Sequence, residues 1–496
     1  MRVLVLLLGL SAMATISGCT GLDRFLQQPF RAAPVAVAVN APVAGARSSS
    51  VSQGPLTLDE CINTARQYNP GLASVSWDIQ TALAQRNAAA SEKWPQISTV
   101  DSYRSYIQNQ RLHQARLNGE PGTFSGSILA MDLVLKMPIF TGGRIRSDIN
   151  GAEFLALAAQ NRLARTWEEL IFNVSSAFYT ILGQRRLIES LEFSRKVLTK
   201  HRGRVLNMMA HDKAARVDVL RTEVRIADLD QRLVKEKTVL EIQRRILSAL
   251  MGIDTQSGPV DVRGTLKLSG TSPNLNGALA MAYAERGDYR AARASLDAQA
   301  MKINAARAGL WPKVSLEGAF GMRAAAGIDD NGVAYTKRLN WPTYPVVPLD
   351  PNKAPLRGPW PNPDSALPVG NIGVTLDYPI FDGGKISSQI SEQTAKLASA
   401  QQLLRKLELQ IRLDVETALL NVSSARQRVQ ATRKAIEQSK ESFRIEQEKY
   451  DLGKGSITDV LDAQAAMLDA ESNHSRALAE YNIATAQLGL AVGEKR

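Results

Sequence analysis

The chain has 496 residues, room for several buried cores, yet only 6% are aromatic. Its Ala, Gln, Leu, Arg and Glu crowd proline-free stretches, a composition of long packed helices rather than of an enzyme core. The formal charge of +12 is scattered along those stretches with Glu and Asp interleaved, which reads as solvated helix face and not as a nucleic-acid surface.

The remaining chemistry is sparse. The two cysteines are Cys19 and Cys61; if processing consumes the first, no disulfide can form, and Cys61 reads as a small helix-packing residue. His113, His201, His211 and His474 lack metal-ligand spacing, and no HExxH, P-loop, GxSxG or Rossmann pattern occurs. Neither an enzyme nor a cofactor is expected.

In chain order, Arg2, the apolar run Val3 to Leu10 and small residues to Gly18 are too short for a membrane helix and read as a signal peptide, residues 1–18. Ile16-Ser17-Gly18-Cys19 resembles a bacterial lipobox, with Ile16 in place of the usual leucine, which implies lipidation of Cys19. Thr20, where inner-membrane lipoproteins commonly carry aspartate, implies sorting to the outer membrane. Residues 19–55, rich in Ala, Val, Pro and Ser, read as a lipid-anchored flexible tether.

Order is expected from Thr57, because Thr57-Leu58-Asp59-Glu60 has capping-box spacing. A helix interrupted near Asn69-Pro70-Gly71 runs to about Trp94 and stops at Pro95. The first β-hairpin then spans about 96–137. It ends in Leu129, Met131, Leu133, Leu135 and Met137 alternating with Ala130, Asp132, Val134 and Lys136, the period of a half-buried strand. The stretch after Pro95 is ambiguous, because Thr99, Asp101 and Ser105 dilute its apolar side. Long helices follow over 144–250, broken between Ala210 and Arg216.

The chain then repeats itself. Pro138-Ile-Phe-Thr-Gly142-Gly143 returns as Pro379-Ile-Phe-Asp-Gly383-Gly384, an offset of 241 residues that also carries Asp218 onto Asp459 and Gly252 onto Gly493. Upstream, Trp94-Pro95 matches Trp311-Pro312 at an offset of 217, so the second half has gained about 24 residues in between. The first repeat therefore covers 56–252, a Gly- and Pro-containing connector 253–276, and the second repeat 277–496. The latter contains a hairpin of about 313–378 and long helices over 385–492. The extra length falls in Asn340 to Pro368, whose nine prolines exclude helix and sheet and leave an extended outer loop.

No segment beyond the signal holds the roughly twenty apolar residues of a membrane helix, so strands must make any crossing. Four strands cannot close a barrel, which takes about eight, so the chain must oligomerise. Arg144 to about Met209 and Lys385 to about Tyr450 would each be about 100 Å long as helix, which suits a tube rather than a globule.

The lipobox, Trp-Pro into a strand, Pro-Ile-Phe-x-Gly-Gly into a long helix, and Tyr450-x-x-Gly453 before Asp459-Val-Leu-Asp462-Ala-Gln together resemble the TolC family of outer-membrane efflux and secretion ducts, over about Leu56 to Gly493. The resemblance implies an α+β membrane protein: a homotrimer with four strands per chain in one 12-stranded β-barrel, continued by an α-helical periplasmic tunnel. Its partners would be outer-membrane lipid, a periplasmic adaptor and an inner-membrane transporter of a tripartite efflux or type I secretion system, with no nucleic acid. The lipobox leans toward drug-type efflux; exported protein or polysaccharide stays open.

The family likeness also places Asp459 and Asp462 at a periplasmic gate, where i, i+3 spacing puts both on one helix face and three copies would stack two cation-favouring rings. Family members that carry arginine at the position of Gly455 close the tip against the aspartate matched by Asp218. Here Lys454 is the nearby substitute, and Arg221, one turn on, is a candidate partner of Asp218. Pro138, Gly142, Gly143, Pro379, Gly383 and Gly384 mark the barrel-to-helix turns. The competing reading is a periplasmic coiled-coil structural or adaptor lipoprotein, which has no use for lipid-facing strands.

Overall fold

A computed structural model describes residues 54–111, 124–212, 215–254, 260–268, 274–328, 334–336 and 367–494. The signal peptide, the lipobox, nearly all of the tether and residues 337–366 of the proline-rich stretch lie outside these.

Helix α1 (Leu58–Tyr68) opens with the expected capping box. The Thr57 N–H donates to the Glu60 carboxylate at 2.7 Å, and the Glu60 N–H donates to Thr57 Oγ1 at 3.4 Å. Asn69 interrupts the helix and restarts it, since its side chain accepts from the Leu72 N–H at 2.9 Å and caps α2 (Pro70–Ser91) with Pro70 at the first position. Strands β1 (Gln96–Arg111) and β2 (Phe124–Phe140) lead to α3 (Arg144–Ala210) and α4 (Arg216–Leu250). The second repeat has the same order: α5 (Leu275–Glu285), α6 (Gly287–Arg307), β3 (Lys313–Ile328), a short β4 (Ala334–Thr336), β5 (Leu367–Asp377), α7 (Lys385–Asp451) and α8 (Ile457–Val492). The paired elements agree closely in length, with 67 residues in both α3 and α7 and 35 and 36 in α4 and α8. At 1.5 Å per residue α3 and α7 are each about 100 Å long.

All strand pairings are antiparallel, in the order β1-β2-β3-β5, with β4 extending the outer end of β3. The diluted stretch after Pro95 is strand along its length, because β2 supplies a continuous ladder from Gln96↔Lys136 to Ser105↔Ser127. One expectation is corrected. Pro368 was assigned to a loop that excludes sheet, yet it pairs with Met322 in β5. That position is one residue into a strand at the edge of the sheet, where proline is tolerated.

Buried positions on the long helices recur in alternating steps of four and three. On α7 they are Ile411, Val415, Ala418, Val422, Ala425 and Val429; on α8, Ala477, Tyr481, Ala484, Leu488 and Ala491; on α3, Leu170, Val174, Ala177 and Ile181. This is the seam of coiled coils, and alanines at the crossing points let the helices approach closely. A second buried cluster occupies the far end, with Leu198 and Val205 from α3, Val219 from α4, Tyr450 from α7, and Ile457, Val460 and Leu461 from α8.

Buried charge ties the repeats together. Arg286, 2% exposed, donates to Asp288 at 2.7 and 3.0 Å, to Asp414 of α7 at 3.1 Å and to the Ala491 carbonyl of α8 at 3.3 Å. The adjacent Gly287 N–H donates to Glu168 of α3 at 3.2 Å. Burial alone would lower the Arg286 pKa, but its hydrogen bonds and charge pairing with the two aspartates more than offset it, so the guanidinium is held more firmly charged.

Candidate functional site: barrel wall and helical tip

Ladder register sorts the sheet into two faces. Leu133 lies opposite Phe320, Met131 opposite Met322, Leu135 opposite Ile97 and Leu316 opposite Val374, so one face carries aliphatic and aromatic side chains across all four strands. Several of these stand in the open in a single chain, Ile372 at 74%, Leu376 at 66% and Phe320 at 64% exposure. The other face carries Asp132, Lys136, Glu317, Arg323, Asn371 and Thr375. Arg323 clasps Asp132 through two bonds of 2.6 and 2.9 Å. Opposite Asp132 stands Gly321, where a Cβ would sit 2.1 Å from the Met131 carbonyl oxygen, so only glycine leaves room for the clasp. Among the described residues no helix is long and apolar enough to cross a membrane. The apolar face of the sheet is the surface that meets lipid, and the polar face lines the interior.

The turns from sheet to helix rest on paired glycines. Gly142 and Gly143 have φ of +62° and +87°, and Gly383 and Gly384 have +66° and +86°, the left-handed region that glycine adopts without strain. The residue before each pair caps the helix: Asp382 accepts from the Gly384 N–H at 2.9 Å and the Ile386 N–H at 2.8 Å, and Thr141 Oγ1 from the Ile145 N–H at 3.5 Å. The amides of Ile386 and Gly384 hold the Asp382 carboxyl below the usual carboxylate range. Pro138 lies inside β2, where the ladder to β3 slips between Pro138 and Phe140, and so belongs to the strand rather than to the turn. Pro379 follows the end of β5.

At the opposite end, α4 and α8 run side by side in the same direction. Arg221 donates to Thr458 at 3.1 Å and Arg225 stands 3.5 Å from Asp462, two links one turn apart on both helices. Arg221 therefore reaches across to the second repeat instead of pairing with Asp218. Asp218 is occupied within its own helix, where its carboxylate accepts from the Ala215 N–H at 3.4 Å. Asp459 does the same for the Ser456 N–H at 3.4 Å. The two acids of the Asp-Val-Leu-Asp motif thus have separate roles, Asp459 closing a helix cap and Asp462 meeting an arginine. Lys454 shares the tight turn before α8, where its N–H donates to the Lys449 carbonyl at 2.8 Å.

The sequence singled out neither Arg225 nor Thr458, although Arg225 is one helical turn after Arg221 as Asp462 is after Thr458. It also passed over the links to the first repeat: Arg204 to Asp451 at 3.0 Å, and Gln464, buried, donating to Ser194 Oγ at 3.1 Å. The long helices thus join a sheet with one apolar face to a far end where charged side chains link the two repeats.

The family model for outer membrane efflux proteins matches residues 61–253 and 365–494, both repeats. The chain belongs to the outer membrane efflux protein family. It is similar to the outer membrane protein TolC of Vibrio cholerae, 23% identical over 445 residues that cover 88% of this chain and 90% of that protein. It is also similar to the outer membrane protein OprJ of Pseudomonas aeruginosa, 23% identical over 449 residues covering 88% and 84%. The crystal structure of VceC from Vibrio cholerae superposes with a TM-score of 0.68 at 18% identity, covering 88% of this chain and 96% of that one. The protein is an outer-membrane efflux channel, a transport conduit and not an enzyme. It resides in the outer membrane and extends into the periplasm.

Proposed function

We propose that the channel works as a homotrimer in which three four-stranded sheets close one 12-stranded barrel and the long helices of three chains form the periplasmic tunnel. The observation that carries this is the sheet itself: its apolar face draws on all four strands, with Thr99, Asp101 and Ser105 of β1 interrupting it, while among the described residues β1 and β5 each have a long partner on one side only. A sheet edge in lipid leaves backbone groups unsatisfied at several kcal/mol each. Pairing β1 of one copy with β5 of the next satisfies them, and the strand directions make that pairing antiparallel.

In this reading a periplasmic adaptor and an inner-membrane transporter deliver cargo to the tip, the transporter supplies the energy, and lipidated Cys19 adds an anchor in the outer membrane. The lipid anchor favours drug-type efflux. The tip set of Asp459, Asp462, Asp218, Arg221 and Lys454 forms the gate. The side-chain links set Arg221 level with Thr458 and Arg225 level with Asp462. Three copies would then present one ring of three Asp459 carboxylates, and one ring in which Arg225 and Asp462 alternate. The acid ring favours cations, and the mixed ring draws neighbouring helices together.

The test is the mass of the detergent-solubilised, mature protein. Three chains per particle, as heat-dissociable trimers, support the reading, and a detergent-free single chain sinks it. For the gate, Asp459→Ala with Asp462→Ala should lower cation selectivity in planar bilayers; unchanged selectivity would remove these acids from the pore.

A further inference from the structure

We propose that His201 makes the closure of the tip sensitive to acid, acting as a proton-operated release between the two repeats; this rests on the channel reading above. His201 occupies a seam position of α3, spaced with Leu198 and Val205 of the tip cluster, and is only 3% exposed. Its ring lies 5.5 Å from that of Tyr450, centroid to centroid, tilted by 52°. Neither ring nitrogen of His201 has a hydrogen-bond partner, and neither does the buried Tyr450 hydroxyl. Two buried polar side chains without hydrogen-bond partners, packed ring against ring, are a costly arrangement. They also join α3 of the first repeat to α7 of the second within the buried cluster at this end.

The charged and titratable groups around the histidine are few. From its own helix comes Arg204, and from α7 come Tyr450 and Asp451, the latter paired with Arg204 at 3.0 Å. Asp218 of α4 acts on Tyr450, and α8 adds the apolar Ile457 and Val460. Burial, then the charge of Arg204, push the His201 pKa down, with Asp451 opposing. Burial at this position therefore favours the neutral imidazole.

The sign follows from linkage. A histidine whose pKa is depressed in the closed state and returns to its ordinary value, about 6.5, once exposed, binds protons better when open. Closure is thus fully supported above about pH 7 and weakens as pH falls through the ordinary histidine range. Carboxylates ordinarily titrate near pH 4, so the test range of pH 7.5 to 5.5 is chosen around the histidine.

The direct test is hydrogen exchange of the trimer in detergent at pH 7.5 and 5.5, expressed as protection factors so that intrinsic pH effects drop out. In the native channel, protection of segments 198–206 and 446–456 should fall several-fold at pH 5.5 while the coiled-coil seam around 411–429 stays unchanged. His201→Leu and His201→Gln, two neutral side chains of different polarity, should both abolish the fall. Protection that is pH-independent in the native protein, or an acid response kept by either variant, overturns the proposal. Planar-bilayer recording gives the functional counterpart, a several-fold rise in open probability at pH 5.5 that both variants lose. A chain that forms no pore at any pH refutes the channel reading, while the exchange data still decide the role of His201.

Discussion

Arginine carries much of the communication between the repeats, and its environment decides what each one is worth. Arg225–Asp462 and Arg221–Thr458 lie in solvent, where such links contribute roughly 0.2–1 kcal/mol. Either Arg→Ala variant should therefore raise resting conductance slightly and the double variant clearly more, as single-channel recording would show. Lys454→Ala should give a smaller rise than Arg225→Ala; no rise at all removes Lys454 from the gate. Arg286 is the opposite case. Removing it strands Asp288 and Asp414 and breaks a buried network, so Arg286→Ala should destabilise by about 3–5 kcal/mol in denaturant titration. Asp288 is desolvated, but hydrogen bonding and charge from Arg286 overcome this and hold its pKa low. Its stabilising contribution is whole above about pH 4 and is lost as pH falls below that. The native channel should show this acid loss and the Arg286→Ala variant should show less of it.

At the scale of the elements, local signals were legible wherever the responsible atoms are near in sequence. Thr57 and Glu60 cap each other three residues apart, and the 67-residue helices could be read from proline-free stretches that each follow a Gly-Gly, the second ending at Gly453. Pro368 in β5 was not legible, because a proline-dense segment gives no hint of which proline first meets a partner strand. The paired glycines looked alike in both repeats, yet their surroundings differ. A Cβ on Gly142 would fall 2.6 Å from the Ala308 carbonyl oxygen and 2.8 Å from the Trp311 Cβ, whereas Gly383 has open space around it. Both positions have left-handed φ and share the strain, about 1–2 kcal/mol. Gly142→Ala should therefore lower the thermal midpoint of the trimer more than Gly383→Ala, and equal losses would mean that the first turn yields to the intrusion.

For the molecule as a whole, duplication and strand alternation led to a four-stranded membrane sheet that must be shared between chains, since an apolar face on four strands with open edges admits few solutions; the trimer and its tunnel came with the family resemblance. The tip was only partly legible. Asp459 and Asp462 looked equivalent from their spacing, but Asp459 folds back on its own helix end while Asp462 meets Arg225, a residue 237 positions away whose alignment depends on how α4 and α8 stagger. Long-range stagger of this kind is set by the coiled-coil seams, where Gln464 against Ser194 and His201 against Tyr450 fix the level of one repeat against the other.

The closing of the barrel between copies is most directly tested by disulfide trapping at the sheet edges. In a Cys61→Ser background, a cysteine at Thr99 of β1 would be combined with a scan from Ile372 to Leu376 of β5, and membranes oxidised before electrophoresis. At alternate scan positions the account predicts covalent dimers and trimers that collapse to single chains on reduction. Single chains at every position, from a protein that is inserted and folded, would contradict a barrel shared between subunits.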